Sequence, residues 1–225
     1  THIKVIGDGI QGLAKVFRRD YHFVSRQLTS ISTKTPSKVD GFTPCNMQTV
    51  FSGPDMEYRA IMQTYLRIIM QSKKYVYIES PYFMPNEAVR SALVTAAKSG
   101  VEIKIIIPLF SDDRIVLMST YSYVKDLASA GIHFYFYKAG FIHSKLIVSD
   151  DKIVSLGSAN MDFRSLEHNF ETNAILYGDE TASIFRNIFE QDMTDSESFD
   201  MKRWKSRPFS MRIKESIARL FSPVF

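Results

Sequence analysis

A single cysteine, Cys45, stands among 225 residues. One thiol closes no disulfide framework and builds no cysteine-based metal site. Cys45 reads as a loop or strand residue without a chemical role. Long apolar runs are missing too. The longest, 103–110, is broken by Lys104 and has the length of a buried strand, whereas a bilayer-spanning helix needs about 20 apolar residues. The five histidines are scattered, and no His, Asp or Glu group has ligand spacing, so neither metal nor cofactor is expected. The chain opens Thr1-His2-Ile3-Lys4 with no initiator Met and no signal peptide. It reads as a fragment that begins inside a strand of something longer.

What remains is an ordinary globular composition, 45% hydrophobic and 23% charged. The formal net charge of +4 is mild. It suits a nucleic acid, an anionic lipid surface or a phosphate ester about equally well.

The chemistry concentrates in Gly140-Phe141-Ile142-His143-Ser144-Lys145-Leu146-Ile147-Val148-Ser149-Asp150, followed by Gly157-Ser158-Ala159-Asn160. If 141–148 is a strand, His143 and Lys145 share one face. Ile142, Ser144, Leu146 and Val148 then share the other. An imidazole beside a fixed cation suits a phosphoryl group. The lysine neutralises a non-bridging oxygen, and the histidine makes or breaks the bond to phosphorus.

His-x-Lys-x4-Asp followed by Gly-Ser-x-Asn is the signature of the phospholipase D superfamily. Ser80-Pro81-Tyr82-Phe83-Met84-Pro85 upstream, and 157–165 with Asn169-Phe170-Glu171-Thr172-Asn173 downstream, narrow the likeness. Together they resemble the C-terminal half of a bacterial cardiolipin synthase, over nearly the whole chain. The resemblance implies two motif copies packed face to face across a pseudo-two-fold axis. One histidine becomes phosphohistidine, and the other handles the protons of the leaving and entering alcohols. His143, in the second copy, takes the proton-transfer role. Lys145 and Asn160, with Ser158 as a weaker candidate, bind non-bridging oxygens. Glu171 holds the far nitrogen of His143. Asp150 completes the catalytic candidates, with a structural role at the turn the better reading. Tyr82, Phe83 and Asp112 are implied to line the substrate pocket, against a plain proline turn with core aromatics and a helix cap. No metal is implied.

Coarse periodicity predicts strand–helix alternation and a mixed β-sheet flanked by helices on both faces, an α/β domain. Strands are expected over 1–6, 48–51, 75–79, 101–108, 132–137, 141–148, 153–156 and 172–177. Helices are expected over 11–26, 57–71 capped by Asp55, 86–98, 111–127 and 180–192. His2-Ile3-Lys4 imitates the motif but lacks its acid and reads as a decoy, while His133 reads as structural. The expected parts are 1–45 trailing from a missing N-terminal catalytic half, 46–199 as the catalytic domain, and a basic amphipathic tail over 200–225. In the tail, Phe209, Ile213, Ile217, Leu220 and Phe221 fall at helical spacing among seven Lys and Arg. The stripe either docks on the domain and leaves the charges in water, or lies in a membrane interface.

The function the resemblance implies is the joining of two phosphatidylglycerols into cardiolipin and glycerol, with the fragment inactive alone. Its partners are phosphatidylglycerol, an anionic membrane surface and the N-terminal half, with no nucleic acid expected. The location is the bacterial cytoplasmic membrane for the whole protein, and soluble or peripheral for the fragment. The rivals are a phospholipase D-type hydrolase, a phosphodiester nuclease, and a non-enzymatic pairing or membrane-binding module.

Overall fold

The computed structural model describes residues 1–33, 41–111 and 113–222. Eight strands form one sheet: β1 (Asn46–Ser52), β2 (Tyr75–Glu79), β3 (Glu102–Pro108), β4 (His133–Tyr137), β5 (Leu146–Ser149), β6 (Ile153–Gly157), β7 (Glu171–Tyr177) and β8 (Ser196–Ser198). Their order is β1-β7-β6-β5-β2-β3-β4-β8. Only β2–β3 and β3–β4 pair in parallel; the other pairings are antiparallel. The parallel steps need crossovers, which the helices α3 (Glu87–Lys98) and α4 (Arg114–Ser129) supply.

The alternation of side chains sorts the core into two layers. Val76, Ile78, Ile103, Ile105 and Ile107 pack with Ile61, Tyr65 and Ile68 of α2 (Ala60–Gln71), Leu93 of α3 and Val124 of α4. Tyr75, Tyr77, Ile106, Leu146 and Val148 pack with Ala182, Phe185 and Phe189 of α6 (Asp179–Thr194) on the other face. Because both faces are covered, all five residues of β2 are buried, as a central strand of such a sheet requires. Asn86 caps α3 by accepting from Val89 N at 3.1 Å, and Asp113 caps α4. A short helix, α5 (Phe163–Glu167), connects β6 to β7.

Several expectations are corrected. Residues 1–6 form no strand. Helix α1 (Ile10–Ser25) lies where expected, but of its apolar residues only Ala14 and Val16 are buried, and Phe17, Phe23 and Val24 are exposed. Its length is set by local propensity, while the sheet edge covers only one strip of it. Asp55 does not cap α2, whose N-cap is Arg59; instead it accepts from Arg19 at 2.5 Å and ties α1 to the turn after β1. Ile184 of α6 is exposed, and Phe185 takes the inward position.

The turn between β5 and β6 braces the end of the sheet away from the motif. Asp150 and Asp151 both have left-handed backbones, with φ of 55° and 54°. The Asp150 carboxylate accepts from the N–H groups of Lys73, Lys74 and Tyr75 at 2.7, 2.8 and 2.9 Å. Burial pushes this carboxyl up, but the three backbone donors outweigh it and hold it below the usual aspartate value. Asp150→Ala orphans three donors at the start of β2 and is expected to cost about 1–3 kcal/mol. Urea denaturation at neutral pH measures this, and an unchanged midpoint would overturn the clamp.

Candidate active site

The motif residues gather at the end of the sheet where the parallel strands β2 and β3 finish. β5 runs antiparallel to β2, with Glu79 opposite Leu146, so residues before Leu146 project past the last rung of β2. The strand is therefore shorter than the 141–148 expected. Alternation nevertheless persists without a ladder: Ile142 and Ser144 are buried, His143 and Phe141 exposed, and Lys145 half-buried. One ladder-like contact remains on the far side, Gly157 N to Lys145 O at 3.4 Å.

Register explains how distant segments meet. β5 and β7 both flank β6 and run antiparallel to it. Lys145 stands beside Gly157, and Gly157 pairs with Asn173. His143 lies two residues before Lys145 and Glu171 two residues before Asn173, so both segments run out at the same end of the sheet. Gly157 fills the gap between Lys145 and Asn173 with backbone alone. A Cβ there would lie 2.3 Å from the Thr172 carbonyl oxygen and 2.6 Å from Asn173 Cα, far inside contact distance, so only glycine fits.

The Gly157-Ser158-Ala159-Asn160 loop is held from below by buried polar groups. Asn173 Nδ2 donates to Tyr65 Oη at 2.9 Å and to Ser155 Oγ at 3.0 Å, while its Oδ1 accepts from Ala159 N at 3.3 Å. Tyr65 Oη donates in turn to the Ala159 carbonyl at 2.9 Å. Ser158 donates its hydroxyl to Glu171 Oε2, and Asn169 donates to Glu171 Oε1 at 3.1 Å. Both carboxylate oxygens of Glu171 are thus oriented, one by the Ser158 loop and one by the segment that leads into β7.

Lys145 Nζ donates to the His143 carbonyl at 2.9 Å and forms no ion pair among the described residues. Burial holds this ammonium below the ordinary lysine value, against the opposing pull of Glu171 and Asp162. It is a half-desolvated cation with carboxylates near enough to feel but none in contact, which favours an incoming anion. His143, Lys145, Gly157 and Ser158 line a cleft of about 660 Å³ with Tyr137 and Phe141. His2, read from sequence as a decoy, also lines it.

The other candidates divide. Asn160 is partly buried, with its Oδ1 unpartnered among the described residues, at the end of the Ser158 loop. Tyr82 is partly exposed, its ring 6.3 Å from Phe141. Phe83 is fully buried against Phe134, its N–H on Thr120 Oγ1 at 3.3 Å. It packs in the core with Val76 and Ile78, although strict alternation along β2 would have turned Tyr82 to that layer. Asp150 lies at the opposite end of β5, five residues from Lys145 or about 16 Å along the strand, with its carboxylate on the start of β2. Asp112 falls outside the described residues.

Sequence reasoning missed two groups. Asp162, 3% exposed, caps α5 by accepting from Ser165 N at 2.7 Å and reaches Lys145 electrostatically. Its signal was present as an acid three residues before Ser165, ahead of a short helix. Glu79, 1% exposed, ends β2 on the α6 side, where Ser144 and Asp192 approach it. Neither Glu79 oxygen nor Ser144 Oγ has a hydrogen-bond partner among the described residues. Burial pushes the Glu79 carboxyl up to about 7; Ser144 draws it down and Asp192 drives it further up.

The folded carboxyl thus keeps its proton to about pH 7, while the unfolded one releases it near 4.5. Stability from the protonated form is complete below pH 4.5 and drains away as pH rises through 7. Glu79→Gln cannot ionise. It is expected to be more stable than the unsubstituted protein at pH 8, by on the order of 1–3 kcal/mol, with the advantage fading toward pH 4.5. Urea unfolding at pH 4.5, 6 and 8 reads this directly, and parallel pH profiles for the two proteins would refute it.

Comparison with known proteins agrees with this geometry. Residues 65–193 match the family described as cardiolipin synthase, PLD-like domain. Along its whole length the chain is 40% identical to a cardiolipin synthase of Oceanobacillus iheyensis, covering 47% of that protein. It is 38% identical to the major cardiolipin synthase of Bacillus subtilis, again covering 47% of it. The chain therefore spans about half the length of the curated relatives it matches. Among solved structures, Nuc from Salmonella typhimurium, a phospholipase D family member, superposes with a TM-score of 0.58 at 21% identity, over 69% of this chain and 99% of Nuc. Phosphatidylserine synthase of Haemophilus influenzae superposes over all of this chain and 57% of its own, with a TM-score of 0.62 at 14% identity. These two likenesses establish the phospholipase D-like fold. The chain belongs to the cardiolipin synthase family of phospholipase D-like domains.

Proposed function

We propose that this chain is the second half-site of a phosphatidyltransferase that joins two phosphatidylglycerols into cardiolipin and releases glycerol. The observation that carries the reading is the Lys145 ammonium, half-buried and without a carboxylate in contact, beside an exposed imidazole in one cleft. A phosphodiester supplies the missing anion. Membership of the cardiolipin synthase family supports the choice of substrate, and Phe141 and Tyr82 at the rim suit the glycerol and acyl portions of a lipid better than a nucleic-acid backbone.

In this reading the attacking imidazole comes from the N-terminal half. Its nitrogen forms a bond to phosphorus while the glycerol oxygen leaves, and His143 gives that oxygen a proton. The hydroxyl of a second phosphatidylglycerol then gives its proton to His143 and attacks phosphorus, and the nitrogen–phosphorus bond breaks. Lys145 and Asn160 stabilise the charge that builds on the non-bridging oxygens in both steps. Glu171, itself held by Ser158 and Asn169, fixes the tautomer and later bears the imidazolium charge. The cytoplasmic membrane is the expected location of the whole protein; among the described residues no helix is long and apolar enough to cross a bilayer.

The longer protein in which this chain is the C-terminal half, given labelled phosphatidylglycerol, is expected to yield cardiolipin and glycerol. His143→Ala should lower the rate by about 10²–10⁴. The 225-residue chain alone should be at least that slow, unless two copies pair their motifs. Phosphatidic acid as the product would assign a hydrolase, and cleavage of DNA with lipid untouched would assign a nuclease.

A further inference from the structure

The C-terminal helix is mounted the opposite way from the docking expected of an amphipathic tail. α7 (Met201–Lys205) leads into α8 (Phe209–Leu220), and α8 packs along α4. The residues it buries are Glu215, Ala218 and, just beyond, Ser222. The residues it turns outward are Phe209, Ile213, Ile217 and Leu220, with 70%, 43%, 52% and 77% of their surface exposed. At 3.6 residues per turn these four form one stripe, roughly half a turn from the buried set.

The rotation is locked by polar contacts. Arg207 donates to both oxygens of Glu215, at 2.6 and 2.9 Å, and stacks its guanidinium 3.3 Å from the centre of the Trp204 ring. Trp204 in turn sits among Tyr121, Phe136 and Phe199. Arg219 donates to Asp126 at 3.0 Å, and the hydroxyls of Ser119 and Ser222 lie 2.7 Å apart. Turning α8 so that its apolar stripe faced inward would break this set and leave Glu215 facing water without Arg207. The stripe is therefore held in water by design of the ion pairs.

We propose that this outward face of α8 is the surface by which the protein lies on an anionic glycerophospholipid bilayer. Charge complementarity selects that occupant. Lys202, Lys205, Arg212 and Lys214 surround the stripe, all exposed and none in an ion pair among the described residues. Apolar side chains enter the acyl boundary while flanking cations meet lipid phosphates. The placement also suits delivery of lipid to the cleft. α4 holds Ser222 through Ser119, and through the next residue, Thr120, it holds the Phe83 N–H of the loop that carries Tyr82. One turn of one helix thus fixes both the membrane-facing tail and the rim of the site. The inference shares with the proposed reaction only the choice of an anionic glycerophospholipid, and binding is read separately from turnover.

The test is cosedimentation of the 225-residue chain with vesicles of phosphatidylcholine, with and without half phosphatidylglycerol. The chain is expected to bind the anionic vesicles at least tenfold more tightly. Replacing Phe209, Ile213, Ile217 and Leu220 together by Ser should weaken that binding at least tenfold. Replacing Lys202, Lys205, Arg212 and Lys214 by Gln should erase the preference for phosphatidylglycerol. Fluorescence of Trp204, the sole tryptophan, reports that the tail is still docked. As a measurement without loss of side chains, an environment-sensitive dye on Ile217→Cys in a Cys45→Ser background should shift to the blue with anionic vesicles, and the same dye on Lys98→Cys should not. No vesicle binding, full binding by the serine variant, or an unmoved dye at position 217 would each overturn the proposal. So would a dimer, seen by sedimentation equilibrium, that the serine variant dissolves while vesicles are ignored. In the longer protein, where turnover is expected, vesicle binding without cardiolipin formation would sink the proposed reaction and leave this surface standing.

Discussion

The whole site rests on a missing methyl group. At Gly157 the backbone of β7 comes so close that a Cβ would lie 2.3 Å from the Thr172 carbonyl oxygen. That close approach lets Asn173 reach under the Ser158 loop and lets Ser158 donate to Glu171. Any side chain at position 157 pushes β7 away and weakens both contacts. The network of Tyr65, Ser155 and Asn173 then converts proximity into position, because each buried polar group is satisfied only in this arrangement.

The two carboxylates named by the motif and its neighbours have parted roles. Glu171 is held from two sides by Ser158, which lines the cleft, and Asn169, while Asp150 stitches the far end of the sheet to the start of β2. One short strand thus follows the motif's His143 and Lys145 at its beginning and carries anchorage at its end. Glu79 adds a further element beneath the motif: a buried acid whose neutral form is favoured by burial and by Asp192, so the floor of the site stays uncharged until its proton is lost.

Much of this was legible in the residue order. Alternation placed His143 and Lys145 on one face, although the hydrogen-bonded strand begins only at Leu146; side-chain period survives where the ladder has run out, so the face was readable and the boundary was not. The helix cap Asn86 was readable because capping is local, while the cap of α4 falls on Asp113, one residue after the Asp112 that the sequence offered. Phe83 and Tyr82 could not be told apart, since a proline loop hides which neighbour turns inward. Residues 1–6 look like a strand by composition but find no partner strand in the sheet. For the tail the sequence left two alternatives open. Apolar spacing marks a stripe, yet whether a stripe faces the core depends on what else the helix buries, and the Arg207–Glu215 pair, eight residues apart, is a tertiary decision.

The strand order carries a last implication for local motion. β5 has three strands on one side, β6, β7 and β1, and four on the other, β2, β3, β4 and β8. Fraying from either edge must cross at least three paired strands before it loosens the segment that bears the motif. Amides of β5 thereby belong to the slowest-exchanging class, opening only with the whole sheet. The exposed histidine three residues before Leu146 is thus a tip on the most deeply rooted strand of the molecule.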